Sequence, residues 1–440
     1  MYLKSILFFL LLPFVISAQN INQQIDKIIK ENISAYNDCY KQLHTNPELS
    51  TKEVNTAAYL KKAVASYGYQ IIDSLGHQSF AAILKNGNGP VILYRTDMDG
   101  LPIKEQTSLP FASVAMGIKD NEPASIMHAC GHDIHMTTWL GIAKVLSQLK
   151  SQWSGTIILL AQSAEETAQG AKKVVVSANF KSLPKADYQL AIHDHAELSV
   201  GEVGFCDGFS MAAVDMLNIT FYGKGGHGAA PQQCIDPILL SAQFITEIQS
   251  IISRNLSPNE PAIITVGAIN GGTVGNIIPE QVKLKLTIRS FSKESRELIL
   301  NRLKVIGDNL ALAAGLEKDK MPYFDLLDMT IPSVYNNPEL GSKLNAIIKK
   351  QFGDSSIVKM KPIMLGEDFG VYGQQETKIP SYILWMGTVN AARKKSANEN
   401  KATLYSLHSA HFAPDYEEAI PAAIKIMSIS IMELFKTKSK

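Results

Sequence analysis

Ten histidines and four cysteines are spread over 440 residues, yet one Cys and three His fall within the nine residues MHACGHDIH (127–135), beside Asp133. Cys130 and His132 are two residues apart, so on an extended or turning backbone both side chains can point at one ion. A thiolate with an imidazole suits Zn²⁺ and its borderline-soft neighbours. Two ligands do not complete a site, and the remainder must come from elsewhere in the chain. Glu165 and Glu166 are adjacent, His193 lies in the run HDH, and His408 and His411 lie in LHSAHFAPD near the C-terminus. Cys130, His132, Glu166, His193 and His408 are enough to hold two metals if the thiolate bridges. His128 and His135 read as neighbours that pack or orient ligands. Adjacent glutamates leave a strand end in different directions, so one can bind metal while the other faces a water. The competing reading of that pair is a helix N-terminus, where acids complement the macrodipole.

The elements that must position these residues show an α/β pattern, with short apolar β-rich runs alternating with helical ones. Three runs end informatively. Residues 90–94 (PVILY) lead to Asp97 and Asp99, residues 156–161 (TIILLA) to Glu165 and Glu166, and residues 188–192 (YQLAI) to His193 and His195. Continuous apolar runs of this length fit strands buried on both faces of a mainly parallel sheet. In such sheets ligands bind beyond the carboxyl ends of the strands. Three runs therefore deliver acids and histidines to one edge. A second pattern, strand 214–222, helix 237–254, strands 263–269 and 282–289, helix 293–314 and a strand near Tyr323, suggests a small α+β ferredoxin-like module inserted in the larger domain. The expected division is residues 19–206 and 323–440 for the first domain and 207–322 for the insert.

Composition narrows the function classes. The chain is 46% hydrophobic and 19% charged, with a net charge of +1 and no long single-sign run. A polyanion partner such as nucleic acid has no electrostatic footprint here. Residues 1–18 carry Lys4, an apolar run over 6–16 and small residues at Ser17 and Ala18, the form of a secretory signal. No later run is long enough to span a bilayer. Export to periplasm, surface or medium is expected. Four cysteines (Cys39, Cys130, Cys206, Cys234) are few for an exported chain of this length, and no disulfide is expected.

Two rival readings stand beside the metal site. A Cys with a nearby His and Asp133 as orienter could be a cysteine hydrolase, but that leaves Glu165, Glu166, His193 and His408 unexplained. A binding protein that kept the cleft and lost turnover is opposed by the presence of every expected ligand together with Glu165. His227, in GKGGHGAAP, lies in a Gly-rich turn that lacks the GxxxxGK[ST] spacing of a phosphate loop.

The motifs LHTNPELSTKE, YRTDMDGLPIKE, MHACGHDIH, SAEET, GKGGHGAAP, GNIIPE, GEDF and LHSAHF occur in an order that resembles the metallopeptidase-like amidohydrolases. That family comprises hippurate hydrolases, N-acyl-amino-acid deacetylases and auxin-conjugate hydrolases. The resemblance runs from about His44 to the C-terminus. It implies a dinuclear centre of Zn, Mn, Co or Ni, with Cys130 bridging and His132, Glu166, His193 and His408 completing it. It further implies Glu165 as general base, and an inserted module that acts as lid and dimerisation domain. His227 would reach the partner's active site, while Asn276 and Arg289 would help hold the substrate carboxylate or oxyanion. The implied reaction is hydrolysis of N-acyl amino acids by a metal-activated water, with a dipeptidase on the same scaffold as the close alternative. Two departures stand out. Ser163 precedes Ala164-Glu165-Glu166 where the family usually has Pro, and Ala191-Ile192 replaces the common Gly-Leu before His193, with an extra His195 following.

Overall fold

The computed structural model describes residues 21–374 and 378–437. The expected signal segment lies outside the described residues. The largest sheet has eight strands. Its centre is the set Gly155–Gln162, Val91–Asp97, Tyr188–Ser199 and Ser381–Val389, paired in that order and all parallel. Antiparallel strands Phe80–Asn86 and Gln70–Ile72 extend one side. On the other side, Val203–Phe205 pairs antiparallel to Ser381–Val389 and parallel to Ile357–Lys359. The sheet is thus mainly parallel at its centre, as the apolar runs imply.

Helices bury both faces of that centre, and every residue of Ser381–Val389 is buried. On one face lies helix His132–Gln148, packed between Ile21–Thr45 and Tyr416–Phe435. It is buried along nearly its whole length, polar His132, Asp133, His135, Thr137 and Thr138 included. The contact with Tyr416–Phe435 is close at Gly141, where a Cβ would sit 2.1 Å from Ile424 Cδ1.

A second sheet is antiparallel throughout, in the order Ile263–Asn270, Gln281–Ser290, Ala213–Tyr222, Tyr323–Leu326. Helices Pro237–Glu247 and Lys293–Ala313 cover one face and enclose a separate apolar core around Leu217, Phe244, Leu286 and Leu303. Asp236 caps the first helix by accepting from the Ile238 and Leu239 amides, with Pro237 at its first position. That helical stretch finishes in one π turn, Ile251–Asn255, ahead of Pro258. The α+β insert is therefore present, and its sheet takes its fourth strand from beyond residue 322. Along Ala213–Tyr222 burial alternates strictly, so Val214 and Met216 face away from the insert's own core.

Candidate metal centre

The site is built at the carboxyl edge of the parallel strands. Val91–Asp97 ends at Asp97, with Asp99 two residues on, and Gly155–Gln162 leads to Glu165 and Glu166. The strand expected to stop at Ile192 instead continues to Ser199, because Ser381–Val389 keeps pairing with it through His195. His193 and His195 therefore lie within a strand, not beyond its end. Helix His132–Gln148 starts immediately after Gly131, whose φ of +74° lies in the left-handed region. A Cβ there would come within 2.4 Å of Asp194 Oδ1, so the CGHD turn requires glycine on two counts. Ala164 (φ 59°) and His408 (φ 64°) are also left-handed without being glycine. Such residues cost about 1–3 kcal/mol each and persist only where the surroundings fix them. Buried Glu53 fixes Ala164 by accepting its N–H at 2.7 Å, and accepts from the Ser163 hydroxyl at 2.5 Å. Ser163, the departure from the family's usual Pro, thus has a defined partner. The His408 N–H donates to Ala129 O at 2.8 Å.

Five of the expected residues converge. Cys130 Sγ lies 3.2 Å from His408 Nε2 and 3.6 Å from His193 Nε2. Glu166 Oε1 lies 3.6 Å from His408 Nε2 and 3.9 Å from His132 Nε2. Two triads, Cys130–His132–His193 and Cys130–Glu166–His408, each gather their ligand atoms within 4.8 Å, and they share the thiol. Tetrahedral N, O and S ligands at ordinary Zn²⁺ distances stand about 3.3–3.6 Å apart, close to the 3.2–3.6 Å between ligand atoms within each triad. His132 Nε2 and Glu166 Oε1 are buried and have no hydrogen-bond partner within the protein. Buried polar atoms are nearly always satisfied, so one orphaned atom in each triad points to a cation at each.

Backbone carbonyls aim the rings. His132 Nδ1 donates to Asp99 O at 2.8 Å, and His193 Nδ1 donates to Asp194 O at 3.0 Å. A carbonyl can only accept, so both protons are fixed on Nδ1 and Nε2 is the nitrogen presented to the site. The Asp99 carboxylate holds the other side of the site, accepting the Glu165 and Glu166 amides at 3.2 and 2.9 Å and the Ser50 hydroxyl at 2.6 Å. The sequence showed Asp99 as an acid at a strand end but not this role.

The electrostatics also call for a cation. Burial, followed by Glu166, pushes the Cys130 thiol well above its usual range. Burial, followed by Glu367, Glu166 and Asp368, pushes Glu165 well above the carboxylate range, and burial also raises Glu166. Burial and the nearby His132 and His193 lower His408, which keeps that ring neutral and able to ligate. A divalent ion reverses the first two effects by rewarding thiolate and carboxylate at once.

Of the remaining histidines, His135 is held between Asp97 Oδ1 at 2.7 Å and Asp194 Oδ1 at 3.1 Å, a brace behind the ligands. His128 is buried with neither ring nitrogen partnered inside the protein. His195 meets Trp385 edge-on, with centroids 5.4 Å apart, and accepts the Glu197 N–H. Trp385 also contacts His193 at 5.2 Å.

A cavity of about 390 Å³ opens over the triads, between the two sheets. Glu165 and Arg289 line it, and Arg289 Nη1 donates to Met364 O. His227 and Asn276 do not join them. They lie together on an exposed ribbon where Gly226–His227 pairs with Ile277–Ile278, and Gly228 N donates to Asn276 O at 2.9 Å. Neither lines the cavity.

The sequence model of peptidase family M20/M25/M40 matches residues 93–429. The N-acetylcysteine deacetylase of Bacillus subtilis (strain 168) is 35% identical over 353 residues, 79% of this chain and 87% of that one. The N-acetyldiaminopimelate deacetylase of Listeria monocytogenes serotype 4a (strain HCC23) is 33% identical over 389 residues, 88% of this chain and 96% of that one. Among solved structures, a dinuclear metal binding peptidase of Bacillus subtilis superposes with a TM-score of 0.75 at 29% identity, over 93% of this chain and 99% of that one. Sequence match, fold and converging ligand atoms agree, and this chain belongs to peptidase family M20/M25/M40, a family of metal-dependent hydrolases of amide bonds.

Proposed function

We propose that the protein hydrolyses the amide bond of N-acyl amino acids, releasing a carboxylic acid and a free amino acid. The observation that carries this reading is the pair of triads sharing Cys130 with Glu165 beside them. The deacetylases among its relatives support the substrate class. Cys130, His132, Glu166, His193 and His408 would hold two divalent ions, the thiolate being common to both. When bound, such ions polarise the amide carbonyl and make water acidic enough to attack near neutral pH.

The chain's own groups do the rest. Glu165 has a carboxyl with raised proton affinity and lines the cleft beside His132 and Glu166. It takes the proton from the attacking water and returns it to the leaving nitrogen. Arg289 offers a guanidinium to the substrate carboxylate from the opposite wall. Amino-acid release from N-acetyl, N-benzoyl and dipeptide substrates, measured after chelation and again after reloading with Zn²⁺, Mn²⁺, Co²⁺ or Ni²⁺, tests the reading. Release should return only with metal, and release that survives chelation contradicts it.

A homodimer through the inserted module gives His227 and Asn276 a role, because their ribbon can enter a partner's cleft. Ile263–Asn270 is an edge strand with Ile263 and Ile269 exposed, and Val274 and Ile277 are exposed beside it, which supports that face as the contact. A monomer by light scattering at micromolar concentration would remove that role. Residues 1–18 support export, and a mature N-terminus at Gln19 by mass spectrometry is the expected outcome.

A further inference from the structure

The wall of the cleft contributed by the insert's sheet is apolar apart from one guanidinium. Val214 and Met216 project from Ala213–Tyr222 on the face turned away from the insert's core. Met329, Ile331 and Leu365 complete that side of the cavity. Val214 is the register partner of Arg289 and bridges to Ile331, so guanidinium and apolar wall are immediate neighbours. The two modules meet tightly here. A Cβ on Gly366 would lie 2.6 Å from both Val214 Cγ2 and Ile331 Cδ1. Among the described residues lining the cavity, Arg289 is the only Arg or Lys, and the acids are the two at the metal floor, Glu165 and Glu166.

We infer that the amino-acid half of the substrate carries a bulky apolar side chain, seated on Val214, Met216, Met329, Ile331 and Leu365. This rests on the N-acyl amino acid reading, and on Arg289 as the carboxylate anchor. A carboxylate held at Arg289 places the adjoining Cα next to Val214, and its side chain then runs along the methionines. Met216 and Met329 are unbranched and polarizable, so they adapt to leucine-, methionine- and phenylalanine-like shapes. A side chain ending in an ammonium or carboxylate would be desolvated there without a counter-charge, which is costly.

The test compares kcat/KM for N-acetyl-L-methionine, -leucine and -phenylalanine with that for N-acetyl-L-lysine and -glutamate, using the metal-loaded full chain. The apolar compounds should be favoured by about 10-fold to 200-fold, the discrimination an apolar pocket makes over even a single methylene. Met216→Glu should reduce N-acetyl-L-methionine by about tenfold and raise N-acetyl-L-lysine, whereas volume-conserving Met216→Leu should keep the wild-type order. Equal rates for charged and apolar side chains, or an order unmoved by Met216→Glu, would overturn the assignment. Faster cleavage of N-benzoyl-L-alanine than of N-acetyl-L-phenylalanine would also overturn it, because bulk would then belong in the acyl half. No turnover of any compound would count against the amidohydrolase reading instead. Calorimetric binding of the same compounds to Glu165→Gln then decides the wall: tighter binding of the apolar set upholds it, and equal binding refutes it.

Discussion

Two buried polar clusters lie side by side beneath the cleft, and only one is closed. Arg95 is fully buried, and its guanidinium reaches Asp97 at 2.6 Å, Glu367 at 3.0 Å, Asp368 at 2.9 Å and Gln162 at 3.1 Å. Tyr372 donates to Gln162 at 2.8 Å, and the Ala171 amide to Asp368 at 2.9 Å, so the network is finished by protein atoms alone. Around Cys130 the protein supplies ligands and aims them, yet leaves His132 Nε2 and Glu166 Oε1 without partners. A closed network holds elements together, whereas an open one built with equal care is a place for something else. Asp97 belongs to both, with Oδ2 on Arg95 and Oδ1 on His135. The closed cluster is thereby the rigid footing of the open one.

This contrast predicts different failures. The largest effect should come from Glu165→Gln, which removes a proton carrier but no ligand. kcat should fall by about 10³-fold or more, within the reach of general acid–base catalysis, while metal content by mass spectrometry stays unchanged. Retained turnover would remove Glu165 from that role. In the closed cluster, Arg95→Leu leaves buried carboxylates uncompensated and should cost about 3–5 kcal/mol of stability, read by urea unfolding. A loss below 1 kcal/mol would show that the network is not structural.

A third buried group, His44, ties helix Ile21–Thr45 to Asp133 at 2.7 Å and Glu105 at 3.1 Å. Burial alone would lower the imidazole, but the two carboxylates outweigh it and raise it from 6.5 to about 9. A raised folded value means stability that is full below pH 6.5 and lost as pH climbs through about 9, to a total of about 3 kcal/mol. His44→Gln should flatten that part of the stability–pH curve, and an unchanged slope would contradict the pairing. The smallest effect belongs to Asp99→Asn, which weakens the seat of Glu165 and Glu166 without touching a ligand atom. Metal affinity should drop about 10–100-fold with little change in unfolding.

Much of this was legible in the sequence, for identifiable reasons. The strands that reach Asp97, lead to Glu165 and carry His193 could be read because a strand buried on both faces has no polar alternation to confuse it. The carboxyl-edge rule then placed their trailing acids and histidines together. What could not be read is how the ligands are aimed. Asp99 and Asp194 act on His132 and His193 through backbone carbonyls, which have no side-chain signature. The Arg95 cluster joins residues 272 and 273 positions apart, and GEDF announces a motif without saying what it faces. The strand through His195 was underestimated because its apolar run stops at Ile192, while its pairing with Ser381–Val389 does not. His227 and Asn276 carried an expectation that a single chain does not meet in this geometry, since both are exposed outside the cavity.

If the proposed function holds, Cys130 is common to two ions. Chelator-stripped protein should be dialysed against Zn²⁺, Mn²⁺, Co²⁺ or Ni²⁺ and its bound metal counted, for the wild type and for Cys130→Ala. Two ions per wild-type chain are expected, with loss or marked weakening of both sites, and of amino-acid release, in Cys130→Ala. A single ion in the wild type, or two ions held equally well without the thiol, would contradict it.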